Sequence, residues 1–68
     1  MKVGDLLTVK IAFTFVALDE IWHSRSTQVG HVWLIVGHEN SWTYFFAEGT
    51  FVKFPSEVCP LDVYFNPV

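Results

Sequence analysis

The sequence predicts a small all-β domain, and three observations carry that reading. Residues 31–65 break into four short runs rich in β-branched and aromatic side chains. Gly37, Asn40, Ser41, Gly49, Pro55 and Pro60 fall between the runs, where turns need them. Upstream, residues 7–15 alternate with a period of two, the pattern of a strand with one face buried. A chain of 68 residues is one domain, spanning 1–68, and short strands at this spacing leave it little beyond a small barrel or sandwich.

Each element follows from local residues. Gly4-Asp5 marks the opening turn. Leu7, Val9, Ile11, Phe13 and Phe15 then share one face, with Thr8, Lys10, Ala12 and Thr14 between them. The expectation is one strand over 7–15, long enough to bend or run out as an arm. Residues 17–30 read as a long loop: 18–22 can form one helical turn, and 24–28 have loop composition. Loops of this length in compact domains are usually functional or disordered.

The second strand, from Val29 or His31 to Val36, sets Val32, Leu34 and Val36 on one face and Trp33 and Ile35 on the other. Two apolar faces imply a strand covered on both sides. After a hairpin loop at 37–41, Trp42, Tyr44 and Phe46 face one way and Thr43, Phe45 and Ala47 the other. Glu48-Gly49 is a weaker form of the Asp-Gly hairpin turn. Phe51 and Lys53 then alternate against Val52 and Phe54. Residues 55–60 suit a short 3₁₀ turn, Leu61, Val63 and Phe65 suit a closing strand, and Pro67 ends it.

Composition narrows the function. Half the residues are hydrophobic (51%) and 18% are aromatic, more than one small core can enclose. Some large rings must therefore reach the surface, where exposed apolar patches mark interfaces. The formal charge is −3, and Lys2, Lys10, Arg25 and Lys53 are scattered, so the chain offers little to neutralise phosphates. Cys59 is the single cysteine, which excludes an internal disulfide and fits a reduced, partly buried thiol. No secretory leader is expected, because Val-Gly-Asp follows Met1-Lys2, and no apolar run approaches the ~20 residues that span a bilayer.

The order strand, long loop, strand, hairpin loop, strand, tight turn, strand, 3₁₀ turn, strand is similar to that of an SH3-like barrel. Residues 2–9, Lys-Val-Gly-Asp-Leu-Leu-Thr-Val, resemble the Gly-Asp-x-Leu-x-Val first strand of many such barrels. Residues 49–56, Gly-Thr-Phe-Val-Lys-Phe-Pro-Ser, resemble the segment that precedes their 3₁₀ turn. The match covers residues 2–10 and about 30–65. It also resembles the short stand-alone SH3-like proteins that tailed bacteriophages encode. The resemblance implies a five-stranded SH3-like barrel with a long first loop and a 3₁₀ turn before the last strand.

The resemblance further implies a non-enzymatic module of protein–protein contact, as a minor capsid- or connector-associated virion component in many symmetric copies. One alternative is a host-takeover protein that binds and inhibits a bacterial enzyme. A second is a nucleic-acid-associated barrel of the translation or transcription type, which the shortage of Lys and Arg disfavours. The expected location is the virion or the host cytoplasm. Peptide-binding SH3 domains line their groove with tyrosines from the first loop and the 3₁₀ turn. This chain has Ile21-Trp22 and Val58 there, while Trp42 and Pro55 match the remaining groove positions.

No chemistry-bearing constellation stands out, so no catalytic residue, metal ligand or cofactor site is expected. His23, His31 and His38 lack the compact pair spacing of zinc ligands. Cys59 sits between Val58 and Pro60 without an identifiable base or orienting acid. Paired carboxylates and a glycine-rich phosphate loop are absent from the sequence. The expected partner-binding residues are Trp22, Trp33, Trp42, Tyr44, Phe45 and Pro55, because Trp and Tyr dominate interface hot spots. The strand over 7–15 is expected to be an edge open to a protein partner or a second copy by strand addition.

Overall fold

The period-two alternation builds a sheet with one face buried; the strand over 31–36, expected to be covered on both sides, has its second face open, with Val32 52% and Val36 38% exposed. A computed structural model describes residues 1–18 and 24–68. In chain order these residues form β1 (Leu6–Val9), β2 (Thr14–Val16), β3 (Ser24–Ser26), β4 (Val32–His38), β5 (Thr43–Ala47), β6 (Thr50–Phe54), α1 (Leu61–Tyr64) and β7 (Phe65–Pro67). The fold is all-β. One five-stranded sheet has the order β6-β5-β4-β1-β7, and β2 and β3 form a separate hairpin. All pairings are antiparallel. The strands do not close into a ring among the described residues: β6 and β7 are the two ends of the sheet.

Alternate residues point inward from every sheet strand. Leu7 and Val9, Trp33 and Ile35, Phe45 and Ala47, Val52 and Phe54, and Phe65 are all buried. The hairpin closes over them: Phe15 and Ala17 are buried, and Ala17 bridges Val52 on the β6 edge. The core is a lattice of ring edges. Trp33 lies 5.1–5.5 Å from Phe13, Phe15, Phe45 and Phe65, mostly edge-to-face, the geometry that aromatic quadrupoles favour.

The turn between β5 and β6 is built as the sequence suggests. Ala47 pairs with Thr50, leaving Glu48 and Gly49 as the loop, with φ of 52° and 80°. Positive φ at both positions is the mirror-image turn that matches strand twist, and Glu48 carries the strain there that Gly49 avoids.

Four further expectations change. The single strand over 7–15 is instead two. Lys10 and Ile11 both direct their N–H groups to the Tyr64 carbonyl, at 2.7 and 3.4 Å, and the chain turns there to start β2. Ile11 is consequently 46% exposed although it shares the alternation of its neighbours. β1 is also no edge, being flanked by β4 and β7. The long loop over 17–30 contributes β3, held to β2 by pairing at 14–16 with 24–26 and by Thr27, whose hydroxyl accepts from the Phe13 N–H. Finally, the closing strand is shorter. Residues 61–64 form one helical turn and only 65–67 pair with β1. Leu61, Tyr64 and Phe65 have the i, i+3, i+4 spacing of a helix face as well as the i, i+4 part of an alternation, and all three pack on the core.

Candidate interaction site

Aromatic edges collect where the hairpin, the end of β6 and α1 meet. Phe13, Phe54 and Tyr64 contact one another edge-to-face at 5.3–5.7 Å. With Phe15, Pro55 and Cys59 they line an apolar cleft of about 210 Å³. Local sequence sets each wall. Alternation along β2 brings Phe15 inward, and the turn after β6 is clamped by the Pro55 carbonyl, which accepts from the Val58 and Cys59 N–H groups at 3.2 and 2.9 Å. α1 then swings Tyr64 over the opening.

At one rim Lys53 lines the cleft and its Nζ lies 4.2 Å from the centre of the Trp42 ring. The pair follows from register: Tyr44 pairs with Lys53, so Trp42, two residues earlier on the same side, is diagonal to Lys53. Tyr44 also contacts Glu39. Its phenol is pushed above its ordinary pKa, first by loss of solvent and then by the Glu39 carboxylate and the hydrogen bond to it. A raised folded-state pKa means the neutral phenol is favoured on folding. The contribution is complete below the ordinary phenol pKa of about 10 and is lost as pH rises through the folded value. In a Tyr64→Phe background, the ultraviolet titration of Tyr44 should have its midpoint above that of free tyrosine, and Glu39→Gln should lower it. An unmoved midpoint in Glu39→Gln would remove the carboxylate as a cause.

The structure separates the predicted contact residues. Trp42 and Pro55 stand beside the cleft, and half-buried Tyr44 is on the outward side of β5. Trp33 and Phe45 are fully enclosed, at 0% exposure, because their strand positions point inward. These two are core residues and the expectation that they meet a partner is corrected. Trp22 lies outside the described residues, as do Asp19, Glu20 and His23. Sequence reasoning missed Phe13, Cys59 and Tyr64. Phe13 was legible as an inward residue, and the i, i+3, i+4 pattern at 61–65 was the available sign for Tyr64.

A polar cluster lies on the far side of the β6 turn. Buried Thr43 donates to Ser56 Oγ at 2.8 Å and stands 3.0 Å from His38 Nδ1; Ser41 donates to Glu57. The chain of contacts from His38 through Thr43 to Ser56 ties two loops together. Among the described residues no three His, Cys, Asp or Glu side chains come together as a metal site. No helix of the described residues is long and apolar enough to cross a membrane.

No protein-family model, no curated protein and no solved structure matches this chain.

Proposed function

We propose that this chain is a non-enzymatic protein–protein contact module with SH3-like connectivity, and that the Phe13–Tyr64 cleft receives a short apolar, proline-bearing segment of a protein partner. The carrying observation is the cleft itself: aromatic edges on three walls, Pro55 at its margin, and a Trp42–Lys53 pair at its rim. Aromatic-lined grooves suit preformed extended proline segments, which lose little entropy on docking. The strand order supports the SH3-like reading. A hairpin is inserted between the first two strands of the sheet, and a helical turn precedes the last. The resemblance to phage-encoded barrels directs this reading toward a virion component, and the acidic charge argues against nucleic acid as the partner.

The test is a nuclear magnetic resonance titration of the ¹⁵N-labelled protein with a panel of proline-rich decapeptides. Shifts confined to residues around Phe13, Lys53, Pro55 and Tyr64, with affinity reduced at least tenfold in Trp42→Ala, are expected. An unperturbed spectrum at millimolar peptide, or binding indifferent to Trp42→Ala, would sink the proposal.

A further inference from the structure

The outer side of the sheet carries a row of apolar side chains that the cleft does not use. Leu6, Leu34, Phe46 and Phe51 are direct cross-strand neighbours on β1, β4, β5 and β6. The row continues at both ends through backbone hydrogen bonds: the Val68 N–H donates to Leu6 at 3.1 Å and the Leu18 N–H donates to Phe51 at 3.0 Å. Six adjacent chain segments therefore present one apolar residue each. At about 4.8 Å per strand the row is roughly 24 Å along the sheet, against a longest molecular extent of 29 Å. Phe46 and Phe51 pack edge-to-face at 5.1 Å yet remain 42% and 54% exposed, and Leu6 is 47% exposed.

Charge avoids this side. Among the described residues, Asp5, Glu39, Glu48, Glu57 and Asp62 all lie in turns, loops or α1. The outward strand positions of β1, β4, β5 and β6 hold a single ion, Lys53, which is engaged with Trp42. A partner recognised through charge finds little complement here; an equally apolar sheet does. Size points the same way. A stable interface takes about 800 Å² from each partner, which is close to a fifth of the 4281 Å² surface of this chain. A molecule this small must give up most of one face to reach that area, and the outer sheet is a face whose strand positions carry one charge, Lys53.

The geometry points to a second copy of this chain as the occupant: two protomers pack their Leu6–Leu34–Phe46–Phe51 rows against each other about a two-fold axis. Both copies then supply the same patch, as a two-fold interface requires, and the two sheets stack about 10 Å apart as in a sandwich. This inference stands apart from the cleft reading, because Phe13, Pro55 and Tyr64 are not in the row.

Light scattering behind size exclusion, at 10–100 µM protein, tests it. The expected mass is twice the 7.8 kDa of one chain. Phe51→Lys, and separately Leu6→Lys at the far part of the row, should return the monomer mass with near-ultraviolet circular dichroism unchanged, because both side chains point away from the core. Pro55→Ala, in the cleft and outside the row, should leave the dimer intact. A monomer at every concentration, a larger ring or filament, a dimer that survives both lysine variants, or one that Pro55→Ala dissolves would each overturn the inference. Failure of the unaltered dimeric protein to bind any of the peptides would instead count against the cleft alone.

Discussion

Trp33→Ala is expected to remove about 3–5 kcal/mol of stability, the range for deleting a fully buried large ring and leaving its cavity. A domain of this size holds about 0.05–0.15 kcal/mol per residue in total, so the loss approaches the whole. Trp33 is 0% exposed and its ring touches Phe13, Phe15, Phe45 and Phe65, which come from β2, β5, β7 and the segment between β1 and β2. Removing it unseats the hairpin and the sheet together. Urea unfolding followed by far-ultraviolet circular dichroism should show no cooperative transition, or one shifted to far lower urea. Trp33→Phe should cost much less. It keeps a ring at the centre and removes the indole Nε1–H, which is buried without a hydrogen-bond partner and is a standing cost in the native chain. An alanine variant that lost less than about 2 kcal/mol would mean that Trp33 is not the hub of the core.

Thr43→Val should cost about 1–2 kcal/mol, within the range for stranding a hydrogen-bond partner in a partly buried site. Valine fills the same volume at 0% exposure but forms a hydrogen bond with neither His38 nor Ser56. The Ser56 hydroxyl is then left facing a methyl group. Thr43→Ser keeps the hydroxyl and loses one methyl, about 0.8 kcal/mol. Equilibrium urea unfolding of the two variants should therefore rank valine below serine in stability. The opposite order would show that packing, and not the hydroxyl chain, is what this position contributes.

The sheet was legible because its residues obey one period. Alternation alone sets Trp33 with Ile35, Phe45 with Ala47 and Val52 with Phe54 on shared faces, opposite Phe46 and Phe51, and the structure turns those faces inward. β6 spans the residues expected of it, and Glu48-Gly49 turns as its composition implies. Alternation failed where tertiary contacts chose between equal local options. Ile11 keeps the phase of its neighbours yet is exposed, because the Tyr64 carbonyl captures the two N–H groups beside it. Residues 61–65 satisfy both a strand and a helix pattern, and Pro60, with φ of −57°, begins the turn that decides it. The cleft was the least legible feature. Its walls come from residues about 50 apart in the chain, Phe13 and Tyr64, and a surplus of aromatic residues does not say which rings become core. Trp33 and Phe45 were read as surface for that reason.

The placement of β1 has a consequence for how the chain acquires its structure. β4, β5 and β6 form a meander joined by short turns, so their pairing closes small loops. β1 instead finds its neighbours far along the chain: Thr8 bonds to Asn66 across 58 residues. Closing a loop of that length has an entropic cost that local hairpins avoid, and contacts of such separation slow folding. The meander over 32–54 is the expected nucleus, with the two terminal strands docking on it late.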